Sequence, residues 1–343
     1  MAPFKLGKDN IFHIQSTLLL ALIPIIIWGV FVFGAKVLTA LAVSLIVSFS
    51  CEIIFLYLSK NKNLFSPIRP VISGTLSCLI LPIAAPFWAF AMGAFIASMI
   101  SLISFAEKSS CTLINPISAC GIILFGFFEK AVNNYTAPFD KFSAFQFSAK
   151  ESIYITTLLQ SMKNGTDSIT NSTLINTFLG RDSGAIGEVS ALLILLGGIF
   201  MIYKKYISWH IPTAILSTVF LISFFFPTGN CEAIYCAAVE TLSGSVFLYS
   251  FFIAPLPSSA PVTKSGKIFF GVSIGIIIMI LRRFTSVSDG TMFAVGVMSC
   301  FVRMIDKFSG NKYFSYLITP KEVEDKPKTD LEALLNGTDK TSK

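Results

Sequence analysis

Ser73-Gly74-Thr75-Leu76-Ser77-Cys78-Leu79-Ile80-Leu81-Pro82-Ile83-Ala84-Ala85-Pro86 is the stretch on which the fold turns. It is apolar enough to enter a membrane, yet it carries a Ser-Gly step at its head and prolines at 82 and 86. An echo follows later: Ser243-Gly244-Ser245 opens an apolar stretch that reaches Ala254-Pro255, with another proline at 257. Glycine and proline interrupt helices, and a bilayer tolerates the interruption only where protein surrounds the freed backbone groups. Two readings of the echo stand. Corresponding broken helices in oppositely oriented halves mark the central pathway of inverted-repeat transporters. Ser-Gly steps and membrane prolines are also common in themselves.

Composition sets the class around this stretch. Of 343 residues, 54% are hydrophobic and 13% charged, with a mean hydropathy of +0.74; soluble domains carry about 25% charged residues. Several runs reach the ~17–25 apolar residues that a spanning helix needs. We expect an all-α polytopic membrane protein with about ten transmembrane helices, in two inverted five-helix halves if the echo marks paired broken helices. The spans fall near 14–34, 36–58, 70–86, 87–105, 111–128, 187–203, 209–226, 234–256, 268–283 and 290–308. The run Thr17–Phe33 has the look of a signal peptide but no clean small-residue cleavage site, so it is read as an uncleaved first helix.

Charge orients the spans. Lys60, Lys62, Arg69, Lys108, Lys204, Lys205, Lys264 and Lys267 fall on the same side as Lys5 and Lys8, which the positive-inside rule makes cytoplasmic. Arg282 and Arg283 are the exception and fall outside. The organisation is then a membrane half over 1–128, an extracytoplasmic loop over 129–186, a second half over 187–308 and a cytoplasmic tail over 309–343, with both termini cytoplasmic. The net charge of +7 resides in short clusters at helix ends and does not suggest nucleic acid; membrane lipid is the expected surrounding. The seven cysteines lack the spacing of a zinc or iron–sulfur site. Cys231 and Cys236 are close enough in sequence to leave a disulfide open.

Several residues could carry chemistry. Ionisable groups inside spans are costly and default to functional hypotheses. Glu52 is the clearest: it would lie on an ion path, relaying a proton or binding sodium, or it would make an interhelical hydrogen bond or pair with a neighbouring Lys. Glu240 sits nearer a span end. In Ser183-Gly184-Ala185-Ile186-Gly187-Glu188-Val189-Ser190, Asp182 or Ser183 is expected to cap the sixth helix, with Glu188 in its first turn. Gly184 and Gly187 would admit another backbone or a flat ring. His13 and His210 share no ligand pattern, and no metal is expected. Asn134, Asn164 and Asn171 each begin a glycosylation triplet, a pattern frequent by chance.

Asp167-Ser168-Ile169-Thr170-Asn171-Ser172-Thr173, followed by the Ser183–Ser190 segment, resembles the flavin-attachment region of one membrane family. The family comprises the D-type subunit of the Rnf ion-translocating oxidoreductase and the B-type subunit of the sodium-pumping NADH:quinone oxidoreductase. Its pattern is Asp-x-x-Ser/Thr-Gly-Ala-Thr; Asp167, Thr170 and Thr173 keep the spacing, while Asn171 and Ser172 replace glycine and alanine. The resemblance continues in His13-Ile14, Leu113-Ile114-Asn115-Pro116, Ile207-Ser208-Trp209-His210-Ile211-Pro212, Pro261-Val262-Thr263 and Ser288-Asp289-Gly290. It implies FMN esterified through its phosphate to Thr173, with Thr170, Asp167, Gly187 and Glu188 as further cofactor-binding residues and riboflavin as a second candidate cofactor. A flavin would carry electrons through the subunit.

Three departures put ion pumping in more doubt than flavin carriage. Ala106-Glu107-Lys108-Ser109-Ser110 replaces a glycine-rich turn, Leu256-Pro257-Ser258-Ser259 replaces an Asp-Pro-Val-Thr element, and an Asp is missing around Pro67-Ile68-Arg69. The short segment before the first span favours the Rnf D-type subunit. The resemblance implies a bacterial inner-membrane location, partner subunits bearing flavins and iron–sulfur clusters, and a flavin transferase for maturation. It also implies electron transfer coupled to Na+ or H+ translocation. A urea- or ammonium-type channel without redox chemistry is the competing reading.

Overall fold

The computed structural model describes residues 8–59, 68–106, 114–136, 138–139, 158–164, 171–180, 183–188, 190–228, 232–285 and 289–309. The first half comprises α1 (Lys8–Phe33), α2 (Lys36–Ser59), α3 (Ile68–Leu79), α4 (Phe87–Ala106) and α5 (Pro116–Phe127). Three short helices follow: α6 (Glu129–Val132), α7 (Leu158–Asn164) and α8 (Asn171–Leu179). The second half comprises α9 (Ala191–Tyr203), α10 (His210–Phe225) and α11 (Ala233–Leu242), then α12 (Val246–Leu248) with a π-helical turn at Tyr249–Ile253. It closes with α13 (Lys264–Phe284), α14 (Thr291–Cys300) and α15 (Val302–Phe308).

Among the described residues, His13–Phe33, Lys36–Leu58 and Lys264–Phe284 are each long and apolar enough to cross a membrane alone, and α11 with the Val246–Ile253 stretch forms a pair bent by 60°. The other apolar helices are 10–17 residues long. The third segment, read as interrupted at Pro82 and Pro86, ends its helix earlier, at Leu79, and the last divides at Phe301.

Packing repeats between the halves. α2 lies against α3 and α4, and α4 against α5; α10 lies against α11 and α13, and α13 against α14. The halves meet where α1 packs on α9 and α5 on α14. Asn115, at the start of α5, donates its backbone N–H to Ser299 Oγ near the end of α14 at 2.9 Å. A Cβ on Gly121, further along α5, would lie 3.0 Å from Met292 Sδ at the start of α14. The two helices are therefore antiparallel, as equivalent members of inverted halves must be.

The first break is completed from a distance. Unwinding after Leu79 frees carbonyls that must find donors. Gly187 N donates to Leu79 O at 2.8 Å, and Ile186 N to Leu81 O at 3.1 Å. The approach depends on glycine: a Cβ on Gly187 would sit 2.9 Å from both Leu79 Cβ and Leu79 O. Gly187→Ala is expected to cost about 1–3 kcal/mol through overpacking. Gly126→Ala, with nothing within 4 Å of the new Cβ, serves as the control. Melting of the purified protein in detergent checks this; equal melting temperatures would show the contact to be slack.

Because these amides are engaged with α3, α9 starts later than the sequence suggested. Ser190 caps it, accepting from Leu193 N at 3.4 Å. Glu188 thus precedes the helix rather than standing in its first turn, and Asp182 lies outside the described residues.

Part of the connecting region is docked on the bundle. Leu158 and Met162 of α7 and Leu174 of α8 pack with Cys236 and Val239 of α11. The helix that carries Thr173 in its first turn is thereby held beside α9 and α11.

Candidate functional site

Where the end of α5, the unwound stretch after α3 and the start of α14 converge, the bundle encloses a cavity of about 210 Å³. Its walls include Phe125, Tyr135, Tyr249 and Phe293, with Glu188, Ser245 and Asp289 among the polar groups. Glu129 and Gly126, both exposed, stand at its mouth.

Asp289 organises the second break. Its Oδ2 accepts from Ser245 N at 2.8 Å and from Ser245 Oγ. Its Oδ1 accepts from Thr291 Oγ1 at 2.6 Å and Thr291 N at 3.3 Å. Arg282 completes the set, with Nη2 3.3 Å from Asp289 Oδ1. The same guanidinium donates to Glu240 O and, at 3.2 Å, to Ser243 O, the carbonyls at the end of α11. Gly244 takes a positive φ of 74° here, and a Cβ would lie 3.1 Å from Arg282 Nη2. A side chain at that position would be strained and would press on the cation.

The exception to the positive-inside rule follows from this arrangement. Arg282 is 5% exposed and neutralised by Asp289, while Arg283 Nη2 lies 3.5 Å from Glu240 Oε2. These arginines are internal counter-charges rather than topological signals. Glu240, read as sitting near a span end, is 4% exposed, and its Oε1 accepts from Thr228 Oγ1.

Glu52 is also paired. Its Oε1 lies 3.6 Å from Arg69 Nη2, with both side chains buried between α2 and α3. Of the two readings given to it, the structure displays the structural partner. The flavin-attachment residues are described less fully: Thr173 occupies α8, while Thr170 and Asp167 lie outside the described residues. Gly187 faces the backbone of Leu79, and Glu188 faces the cavity, with Oε2 accepting from Ala185 N at 3.2 Å. Cys236 is buried and its sulfur accepts from Thr228 N at 3.1 Å; Cys231 lies outside the described residues.

Asn115 carries more than the sequence indicated. Its Oδ1 caps α5, accepting from Ile117 N at 3.1 Å and Ser118 N at 3.2 Å. Its Nδ2 donates to Ile253 O at 3.0 Å and Ser259 Oγ at 2.7 Å in the other half. The Asn-Pro step was the available signal, as asparagine before proline marks a helix start.

The fold and cavity define a multi-pass helical membrane protein built on two broken-helix halves around a polar internal site. The sequence pattern of the NQR2, RnfD, RnfE family matches residues 1–315, and the chain belongs to that family. It is 28% identical over 324 residues to the D-type subunit of the Na(+)-translocating ferredoxin:NAD(+) oxidoreductase complex of Acetobacterium woodii, covering 94% of this chain and 96% of that protein. It is 27% identical to the D-type subunit of the ion-translocating oxidoreductase complex of Halorhodospira halophila, covering 85% and 88% of the two chains. The D-type subunit of the proton-translocating ferredoxin:NAD(+) oxidoreductase complex of Clostridium ljungdahlii is likewise 27% identical, over 90% and 93%.

Proposed function

We propose that this chain is the D-type membrane subunit of an Rnf-type, ion-translocating ferredoxin:NAD+ oxidoreductase complex. The observation that carries this reading is end-to-end similarity: relatives so named are matched over nearly their full length. The chain works among partner subunits, in the bacterial inner membrane, with its termini cytoplasmic and the 129–186 region outside. Sodium and proton are both named for the relatives, so the coupling ion is not assigned.

The cofactor in this reading is FMN joined through its phosphate to Thr173, with Thr170 and Asp167 as the recognition residues for a flavin transferase. Such a group supplies one- and two-electron transfer that side chains lack. One feature of the chain fits it: Leu174, next to Thr173, packs against α11 and gives the attachment site a fixed base.

Covalent flavin stays with a denatured polypeptide, so ultraviolet fluorescence of the band after co-expression with a flavin transferase is the test. The wild-type band is expected to fluoresce and Thr173→Ala to lose all of it. A dark wild-type band would favour the channel reading over the redox one.

A further inference from the structure

Three buried carboxylates of this bundle are matched by arginines: Glu52 by Arg69, Glu240 by Arg283 and Asp289 by Arg282. A fourth, Asp306, accepts from Val262 N at 3.0 Å at the edge of α15. Glu188, in the cavity, has no such arginine: among the described residues its carboxylate has one hydrogen bond, from Ala185 N, and no cation within ion-pair distance. Asp289 lines the same cavity and is satisfied by Arg282, Ser245 and Thr291. Both terminal nitrogens of Arg282 are already committed, to Glu240 O, Ser243 O and Asp289. An ionised carboxylate with so little compensation is costly where water is scarce.

A second, independent feature marks the same space. Tyr249 is 1% exposed and lines the cavity, and its hydroxyl has no hydrogen-bond partner. A buried phenol with both its donor and acceptor capacity unused points to a polar occupant of that cavity, of which water is the simplest. The cavity reaches the exposed residues Gly126 and Glu129, so water there is continuous with one face of the protein.

We propose that Glu188 is a proton-binding residue: its Oε1 takes one proton from water entering past Gly126 and Glu129, and returns it by the same route. In uptake one O–H bond of a hydronium ion breaks and one forms on the carboxylate, leaving water and a neutral carboxyl; release reverses the step, with water accepting the proton as hydronium. The groups facing it are Asp289 and Arg282 from the α13–α14 side, Tyr249 from the π-helical turn, Tyr135, and Glu129 of α6. Asp289, held ionised by its donors, favours the neutral form of Glu188, and Arg282 opposes it from behind Asp289. No group of three or more His, Cys, Asp or Glu residues among those described is placed to hold a metal ion, and a sodium ion is distinguished by the test below. The inference does not depend on the flavin.

Infrared spectroscopy of the purified complex across a pH series tests it. The wild type is expected to show the carbonyl stretch of a protonated carboxyl that titrates, shifts in D2O and is lost in Glu188→Gln. The same band should persist in Thr173→Ala, which separates this proposal from the flavin assignment. Identical wild-type and Glu188→Gln spectra at every pH would overturn it. Glu188→Asp, which keeps the acid, should move the band, and an unmoved band counts against the proposal. Replacing choline chloride by sodium chloride should leave the titration in place; a shift caused by sodium would make this a sodium site instead.

Discussion

Arg282→Met is expected to destabilise the protein by about 3–5 kcal/mol, the cost of breaking a buried pair from one side. The substitution keeps the stem but removes every donor. Asp289 is left ionised without its cation, and Glu240 O and Ser243 O at the end of α11 lose theirs. The two effects separate in a cycle. Adding Asp289→Asn removes the stranded charge but not the orphaned carbonyls, so the double variant should recover only part of the loss. Arg282→Lys should remain deficient, because one ammonium cannot serve two carbonyls and a carboxylate with the reach of a planar fork. Melting of the four proteins in detergent gives the answer, and full additivity would show that Arg282 and Asp289 act separately.

Arg69→Met should cost a similar amount, about 3–5 kcal/mol, by leaving Glu52 charged between α2 and α3 at 2% exposure. Glu52→Gln in the same chain should recover part of it. Glu52→Gln alone distinguishes the two readings of this residue. If Glu52 serves only Arg69, the variant loses stability and ion uptake by the reconstituted complex is unchanged. If it lies on the ion path, uptake slows while flavin incorporation stays intact. Unchanged stability in both single variants would mean that the pair is not coupled.

The prolines and one of the two Ser-Gly steps were legible because they act locally: Gly244 adopts a backbone that other residues resist, and prolines 82 and 86 cannot continue a helix, whereas Gly74 lies inside α3 and breaks nothing. The start of α9 was not legible. Ser183 and Glu188 had the look of a helix N-terminus, but the amides of Ile186 and Gly187 are drawn off by carbonyls more than a hundred residues earlier in the chain. The role of Arg282 was not legible for a related reason. Its partners include Asp289, close in sequence, but also the end of α11, some forty residues away. A charge that offends a topology rule, with an acid just beyond it, is a usable hint of an internal pair. Glu188 was singled out by its neighbours in sequence, whereas Tyr249 carried no signal, since an aromatic residue in an apolar run reads as core.

The bonds that Asn115 makes to Ile253, Ser259 and Ser299 rivet the N-terminal five-helix unit to the C-terminal one. Transport by rocking one repeat against the other would have to shear these bonds on every cycle, and each contributes about 1 kcal/mol net only while its geometry holds. A motion that keeps α5 seated on α14 and on the Ile253–Ser259 stretch would leave all three bonds whole.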